Sequence, residues 1–541
     1  MNLYIRLKQK IAVYLTLTTA LLLGCGSTAD ILSTPVENID TSPLKVTDLT
    51  EAEKKNWGHL DLERDTIPGM AIDRAYAEII KGKKGQKVIV AVIDSAIDID
   101  HEDLDDVIWI NKDEIPNNGK DDDNNGYIDD IHGWNFLGDT YDEQFEYVRL
   151  IASGDTSNPR FQEAKTLREE EYQKYLSRKT QYDQIAQIIG NAHETLKRET
   201  GKPNYSIEDV NKIKSTDQNV QQAIQIANNV HSNGATMIEA VEELKGIQEQ
   251  INERLNIHLN TNLKGRKTND NISDLSDTGY GNGNVKPYKK EESHGTHVAG
   301  IIAAERNNGL GANGVANNVE IMALRVVPNG DEYDKDVALA IRYAVDNGAK
   351  VINGSFGKYF SSHSDWVKDA IKYASDMDVV FVSSAGNEGL NVDLSKNTTY
   401  PNDRGSNDSE ISNTFISVGS LTQKYGSKMV SGFSNYGKNN VDVFAPGSEI
   451  YSTLPENNYD FEGGTSMAAP GVAGIAALLR SQYPSLSAAQ VKQIIIESGL
   501  PLTTKVVVGG DASNVKPFAD LSKSGKIANA YNALIMASKI K

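Results

Sequence analysis

The sequence predicts an α/β fold with a mostly parallel central sheet. Short apolar runs typical of buried strands alternate along the chain with amphipathic runs at helical spacing, as in a parallel sheet that helices cover on both faces. The predicted strands are residues 88–93, 319–327, 350–353, 379–383, 415–418 and 441–444, and the predicted helices are residues 295–304, 334–346, 364–375, 465–483 and 487–497. With 541 residues, the chain can hold several domains or one large domain with an insertion.

The N-terminus resembles a bacterial lipoprotein signal peptide, residues 1–24. Three basic residues within the first ten precede an apolar stretch at 11–24 that is too short to span a bilayer stably. The stretch ends in Leu-Leu-Gly-Cys, which resembles a lipobox, and Cys25 is the only cysteine of the chain. We therefore expect export, lipidation of Cys25, and attachment to a membrane through that lipid. The polar residues 25–56 predict a flexible tether.

Composition limits the classes of partner and the sources of stability. The formal net charge is −19, which argues against a nucleic acid partner because phosphate binding needs clustered lysine and arginine. A single cysteine excludes disulfides within the chain, so packing and bound ions must stabilise the fold.

The strand pattern is interrupted between residues 141 and 263. This block is rich in Glu, Gln, Lys and Asn, and its apolar residues recur at helical spacing. A break at Pro203, followed by Ser206 as a candidate N-cap, predicts a helical hairpin or small bundle. We expect it to be an insertion in one domain formed by residues 57–140 and 264–541. Its expected role is structural or the docking of a protein partner, because it holds no catalytic motif.

Three residues far apart in sequence give the strongest chemical signal. Asp94 closes an apolar run, His294 opens His-Gly-Thr-His-Val-Ala-Gly, and Ser466 lies in Gly-Gly-Thr-Ser-Met-Ala-Ala-Pro. Peptide hydrolysis by a serine needs a base, a carboxylate that orients the base, and donors for the oxyanion. His294 suits the base, Asp94 the carboxylate and Ser466 the nucleophile. The side-chain amide of Asn387 and the backbone N–H of Ser466 suit the oxyanion donors. Each residue alone could be a cap or a turn former, but the set favours catalysis.

These motifs resemble the subtilisin-like serine peptidases, the subtilase family. The resemblance covers roughly residues 57–140 and 287–535 and includes further segments such as Ser-Gly-Phe-Ser-Asn-Tyr-Gly at 431–437. It implies a three-layer subtilisin-like fold and a serine endopeptidase that acts on polypeptides. It also implies that an extended substrate pairs with the segments that contain Ser355, Phe356, Gly357, Ala385 and Gly386.

An acidic loop at residues 117–130 resembles a calcium-binding loop. Oxygen ligands occur at alternating positions, as in the first part of an EF-hand: Asp121, Asp123, Asn125, the Tyr127 carbonyl, and either Asp129 or Asp130. The closing glutamate of an EF-hand is absent, and His132 stands in its place. The prediction is a structural calcium ion, and the alternative is a solvated acidic turn.

We therefore expect an exported, lipid-anchored serine endopeptidase. One alternative is a catalytically silent protein that binds a surface through the helical insertion; the presence of all four site residues argues against it. A second alternative concerns the substrates. The enzyme would either mature one exported protein or degrade many.

Overall fold

A nine-stranded sheet forms the centre of the molecule. The structure is a computed structural model and describes residues 45, 47–405 and 409–540, so the predicted signal peptide, Cys25 and most of the predicted tether lie outside the described residues. The strands are β1 (Val88–Asp94), β2 (Gly133–Asn135), β3 (Val319–Arg325), β4 (Val351–Gly354), β5 (Val380–Ser384), β6 (Phe415–Leu421), β7 (Val443–Pro446), β8 (Ile450–Leu454), β9 (Asn458–Glu462), β10 (Leu500–Pro501), β11 (Lys505–Val508), β12 (Asp511–Pro517) and β13 (Lys526–Ile527).

The sheet order is β10-β13-β7-β6-β5-β4-β1-β3-β2. Neighbours run parallel except for β10 and β13, which pair antiparallel. Two antiparallel hairpins, β8-β9 and β11-β12, lie outside this sheet.

The helices follow the strands in the alternation that the sequence predicted. They are α1 (Glu51–Asn56), α2 (Leu62–Asp65), α3 (Ile72–Ala75), α4 (Glu146–Ser153), α5 (Phe161–Thr200), α6 (Ile207–Val210), α7 (Gln218–Ser232), α8 (Met237–Glu253), α9 (His294–Ala303), α10 (Asp334–Asp346), α11 (Ser364–Asp376), α12 (Thr465–Gln482), α13 (Ala488–Ser498) and α14 (Ala530–Ala537). Among the described residues, no helix is both long and apolar enough to cross a membrane.

Two apolar cores, one on each face of the sheet, give the molecule three layers. Alternate side chains of β1 enter opposite cores because successive residues of a strand point to opposite faces. Val90 and Val92 pack with α9, α12, α13 and α14, whereas Ala91 and Ile93 pack with α10 and α11. The predicted three-layer α/β fold with a mostly parallel sheet is therefore confirmed.

Between β2 and α9 the chain makes a long helical excursion. Helix α5 has 40 residues, which corresponds to a length of about 60 Å. Its C-terminal part packs with α6, α7 and the start of α8 around a small apolar cluster that includes Ala192, Leu196 and Ala223. The chain returns close to its point of departure, because the backbone N–H of Phe145 donates to the carbonyl of His258 at 3.2 Å.

Residues 51–56, which the sequence assigned to the tether, form helix α1. The hydroxyl of Thr50 accepts a hydrogen bond from the backbone of Glu53, whose carboxylate in turn accepts from the backbone of Thr50. This capping box satisfies two of the free N–H groups at the start of the helix. Lys55 lies over the ring of Tyr451 in β8, 4.5 Å from its centroid. The folded part of the chain therefore begins before Trp57.

Candidate active site

The three predicted catalytic residues come from three elements whose ends meet. Asp94 is the last residue of β1, His294 is the first of α9, and Ser466 is the second of α12. Asp94 is fully buried, whereas the side chain of His294 is 36% exposed. His294 and Ser466 line one cleft. The structure therefore brings these residues together, and their catalytic roles stay a prediction.

The carboxylate of Asp94 orients the imidazole of His294. Nδ1 of His294 lies 2.7 Å from Oδ1 of Asp94, and the backbone N–H of Ser95 donates to the same oxygen. Oδ2 of Asp94 is buried without a hydrogen-bond partner in the described part of the chain. A proton held on Nδ1 leaves Nε2 of His294 unprotonated, which is the form that a general base needs.

Helix α9 begins directly against the end of β1. The backbone N–H of Gly295 donates to Oγ of Ser95 at 2.9 Å. A Cβ at position 295 would lie 2.6 Å from the carbonyl oxygen of Ala96, so a side chain has no room there. The glycine after His294 therefore permits the close approach that the Asp94–His294 hydrogen bond needs.

His297 is a structural histidine one turn along α9. It is fully buried, and its Nε2 donates to the carbonyl of Ile450 at 3.0 Å. Burial and the nearby His294 lower the pKa of His297 to about 4. The ring is therefore neutral near pH 7, as a packed histidine should be.

A second carboxylate, that of Glu462 at the end of β9, influences His294. Burial lowers the pKa of His294, but Asp94 and then Glu462 raise it, and the net pKa lies above the ordinary value. Glu462 accepts a hydrogen bond at 3.3 Å from Oγ of Ser293, the residue directly before the histidine. Burial raises the pKa of Glu462 itself.

Replacing Glu462 with glutamine should shift the acid limb of the profile of kcat/KM against pH to lower pH. The base works only when it is neutral, and loss of a nearby negative charge destabilises the protonated imidazole, so the pKa of His294 falls. The profile measured on a peptide substrate tests this. Glu456→Gln, in the β8-β9 turn with its side chain 67% exposed, is the matched control. An acid limb that stays in place in Glu462→Gln contradicts the prediction.

Ser466 forms a reciprocal contact with Ser355. Oγ of Ser466 donates to the carbonyl of Ser355 at 2.9 Å, and Oγ of Ser355 donates to the carbonyl of Ser466 at 2.8 Å. The nucleophile candidate is thus held at the start of α12, next to the segment that follows β4. The hydroxyl would have to leave the Ser355 carbonyl, by rotation about the Cα–Cβ bond of Ser466, before it could bond to another acceptor.

The side chain of Asn387 is oriented so that its amide nitrogen is available. Its Oδ1 accepts hydrogen bonds from the backbone N–H and the hydroxyl of Thr465, at 2.8 and 2.9 Å. Nδ2 of Asn387 and the backbone N of Ser466 each lie 3.5 Å from the position that a Cβ on Gly464 would take. Two N–H groups therefore lie close to one point beside Gly464, and Asn387 and Ser466 both line the cleft; their role as oxyanion donors stays a prediction.

A cleft of about 390 Å³ lies in front of these residues. One wall is the segment Ser355, Phe356 and Gly357, which the sequence predicted to bind substrate. Another wall is the segment 329–332 after β3, which the sequence did not predict. Within the described part of the chain, no hydrogen bond uses the backbone groups of Gly330 or Gly357. The cleft therefore offers free backbone donors and acceptors on both walls.

Ala385 and Gly386 differ from the prediction that they pair with a substrate backbone. The N–H of Ala385 donates to the carbonyl of Val418, and its own carbonyl accepts from Nδ2 of Asn435. The N–H of Gly386 donates to Thr465, and its carbonyl accepts from the backbone of Asn435. These groups are already bonded inside the protein, so they are not available to an extended peptide.

The acidic loop converges on a set of carboxylates that differs from the predicted ligands. Oxygens of Glu114, Asp123 and Asp130 lie within 4.8 Å of one another. Oε2 of Glu114 is buried without a hydrogen-bond partner among the residues that the structure describes. Burial raises the pKa of Asp130. Three carboxylates around an unpartnered oxygen fit a divalent cation with oxygen ligands.

Most of the other predicted ligands bind the loop itself. Asp121 accepts from the backbone N–H groups of Asn125 and Gly126, and Asp129 accepts from those of Asn118 and Gly119. The Oδ1 of Asn125 accepts from the N–H of Tyr127. Of the predicted set, Asp123 and Asp130, one of the two alternatives for the last ligand, belong to the convergent cluster. The EF-hand spacing misled the prediction because these short side chains close local turns.

The sequence model of the subtilase family matches residues 85–515, a range that includes Asp94, His294 and Ser466. The chain belongs to the subtilase family. The match begins just before β1 and extends through the helical excursion, so this subtilase carries the long helices α5, α7 and α8 between its aspartate and histidine motifs.

Curated relatives are similar to this subtilase over part of its length. A thermophilic serine proteinase of Bacillus sp. (strain AK1) is 44% identical over 191 residues, 35% of this chain and 43% of the relative. The cell wall-associated protease of Bacillus subtilis (strain 168) is 31% identical over 280 residues, 48% and 29% of the two chains. Subtilisin DY of Bacillus licheniformis is 38% identical over 228 residues, which are 42% of this chain and 77% of the relative. The match thus spans less than half the length of the first two relatives.

Proposed function

We propose that this chain is a serine endopeptidase that hydrolyses peptide bonds in polypeptides. The observation that carries the proposal is the 2.7 Å hydrogen bond between Asp94 and His294, at the cleft that Ser466 and Asn387 also line. Membership of the subtilase family supports it, since the relatives carry the names of serine proteinases. The order Asp, His, Ser along the chain agrees with this reaction class.

The proposed reaction uses each residue at one atom. Oγ of Ser466 leaves the Ser355 carbonyl, gives its proton to Nε2 of His294 and attacks the scissile carbonyl. Asp94 stabilises the imidazolium that forms. Nδ2 of Asn387 and the backbone N–H of Ser466 donate to the oxyanion of the tetrahedral intermediate. His294 then gives the proton to the leaving amine, and a water molecule hydrolyses the acyl-enzyme by the same steps in reverse.

The substrate proposed for this cleft is an extended polypeptide. The free backbone groups of Gly357 on one wall and Gly330 on the other can pair with the main chain of a peptide that lies between them. Such pairing supplies affinity without reading side chains. It is compatible both with a maturation peptidase and with a broad degrader.

Labelling with a fluorophosphonate probe tests the proposal. We expect the folded protein to react at Ser466, because the probe needs an activated serine beside a neutral histidine and an oxyanion site. Mass spectrometry of the labelled peptide identifies the residue, and His294→Ala is the control that removes activation. Failure of the wild-type protein to label would favour the non-catalytic surface-binding protein.

A structural calcium ion belongs to the same proposal. Glu114, Asp123 and Asp130 would hold it, and its positive charge would offset three carboxylates and the unpartnered oxygen of Glu114. Asp130 also accepts hydrogen bonds from Asn111 and Asn125, which fixes the loop around the cluster. The ion would stabilise the fold and take no part in the reaction.

Calcium should therefore raise the free energy of unfolding of the wild-type protein, by about 3 kcal/mol at 100 times its Kd. Glu114→Gln should remove most of this gain, since it deletes a charged ligand. Thermal unfolding with calcium and with a chelator measures the difference. Asp121→Asn is the matched control, because Asp121 binds loop backbone. If calcium still stabilises Glu114→Gln but no longer stabilises Asp121→Asn, the result would support the ligand set predicted from sequence.

The location and the helical excursion complete the proposal. The predicted signal peptide and the lipobox-like segment before Cys25 support an exported protein that a lipid holds at a membrane. Residues 141–263 are proposed as an insertion in the peptidase domain. The insertion is proposed as the docking site for a protein partner, because helix α5 exposes the apolar side chains of Leu176, Ile185 and Ile188.

A further inference from the structure

One wall of the cleft is paired with the chain segment that enters the helical excursion. The backbone N–H of Asn329 donates to the carbonyl of Tyr141 at 2.8 Å, and the carbonyl of Asn329 accepts from the N–H of Glu143 at 2.9 Å. The N–H of Asp331 donates to the carbonyl of Gln144 at 3.3 Å. Residues 141–144 and 329–331 therefore lie side by side, joined by a parallel bridge between Asp142 and Asn329.

This pairing leaves the backbone of Gly330 free at the cleft. Asn329 uses both its N–H and its C=O toward 141–144, and Asp331 uses its N–H toward Gln144. Among the described residues no hydrogen bond uses the backbone groups of Gly330, which lines the cleft. A Cβ at position 330 would lie 2.2 Å from the carbonyl oxygen of Glu143, so only glycine permits this close pairing.

Arg149 of α4 fixes the same wall from behind. Its side chain is 10% exposed, and all five of its N–H donors are used. Nη1 donates to the carbonyls of Gln144 at 2.8 Å and Asp331 at 2.7 Å, and Nη2 donates to the carbonyl of Glu332 at 2.9 Å. The two remaining donors bind the carboxylate of Glu146. The planar guanidinium thus joins the excursion to both carbonyls that follow Gly330.

Asn329 ties the wall to the other end of the excursion. Its Nδ2 donates to Oε1 of Glu253 at 2.6 Å and to Asp142 at 2.9 Å. Its Oδ1 lies 3.2 Å from Nε2 of His258. Glu253 is the last residue of α8, so the beginning and the end of the excursion both hold one short segment of the cleft.

We propose that Arg149 is a positioning residue, which holds segment 330–332 in the position needed to pair with a polypeptide substrate. This inference rests on the proposed peptidase function and adds a role for the root of the helical excursion in it. Arg149 touches neither the substrate nor the reacting atoms. Arg149 acts indirectly on the backbone of Gly330. It binds the carbonyls of the two residues that follow Gly330, and Asn329, which precedes Gly330, is paired with residues 141 and 143.

Arg149→Lys tests the proposal, because a lysine keeps the charge but cannot make five hydrogen bonds in one plane. A tetrapeptide amide reaches along the wall, whereas an N-acetyl amino-acid ester occupies only the site next to the scissile bond. We expect kcat/KM to fall about 10-fold for the tetrapeptide, mainly through KM, and to stay within about 2-fold for the ester. Arg198→Lys, at the far end of α5 with its side chain 71% exposed, is the matched control and should change neither.

A second variant guards against misfolding. Glu253→Ala removes the hydrogen bond that Nδ2 of Asn329 donates to the half-buried Glu253. It should give the same selective loss of kcat/KM for the tetrapeptide. Equal losses for both substrates in the two variants, or no loss in either, would overturn the proposal. Fluorophosphonate labelling of each variant separates this result from failure of the proposed function: a wild-type protein that does not label would refute the peptidase proposal itself.

Discussion

Replacement of Ser466 with alanine should lower kcat on a peptide substrate about 10⁶-fold. The hydroxyl is the proposed nucleophile, and Ser466 lines the cleft together with His294 and Asn387. Ser355 lies nearby, but its hydroxyl is bonded to the Ser466 carbonyl and to the amide of Asn353. Steady-state kinetics with a fluorogenic peptide measure the loss, and a thermal unfolding curve shows that the variant is folded.

The control for this prediction is a buried serine that does not line the cleft. Ser498 ends α13, and its Oγ has no hydrogen-bond partner in the part of the chain that the structure describes. Ser498→Ala makes the same chemical change far from the cleft, so kcat should be unchanged. Peptidase activity that persists within about 10-fold in Ser466→Ala would assign the nucleophile to another residue.

Replacement of Asp94 with asparagine should lower kcat about 10⁴-fold near neutral pH. The amide cannot hold His294 with its proton on Nδ1 as firmly as the carboxylate does, and it supplies no charge to stabilise the imidazolium. Loss of that charge also lowers the pKa of His294, which the carboxylate raises. Burial of an amide in place of a carboxylate whose Oδ2 lacks a partner should leave the fold intact.

The pH profile of Asp94→Asn separates this role from a structural one. The acid limb of kcat/KM should move to lower pH while the maximum falls. Asp98→Asn, four residues after Asp94, is the matched control, because its carboxylate accepts hydrogen bonds from the backbone of Asp100 and Glu456. If Asp94→Asn and Asp98→Asn lose activity equally, the orienting role of Asp94 is wrong.

The central sheet was predictable because its strands are buried on both faces. Strand β1 is apolar from Val88 to Ile93 and ends on a charged residue, so its type and its end could be read directly. Strand β2 has three residues, Gly-Trp-Asn, and strand β12 is polar and largely exposed, so neither carries a periodic signal. Helix α1 did carry one, the capping box of Thr50 and Glu53, which the polar composition concealed.

The candidate site was predictable where function depends on local motifs. Asp94, His294, Asn387 and Ser466 each lie in a short segment whose residues shape their own turn. The wall that contains Gly330 was missed because it depends on pairing between 141–144 and 329–331, which are far apart in sequence. Glu114 was missed for a related reason, since it lies before the acidic loop and joins Asp123 and Asp130 only after folding.

The 3.2 Å contact between Phe145 and His258 has a consequence for how this chain can change over time. A loop whose ends already meet imposes no stretch on the sheet, and its closure entropy grows only with the logarithm of its length. Insertions and deletions near Pro203, at the far end of α5, are therefore tolerable to the rest of the protein. Changes near Tyr141 or His258 are not, because the same residues shape the wall of the cleft.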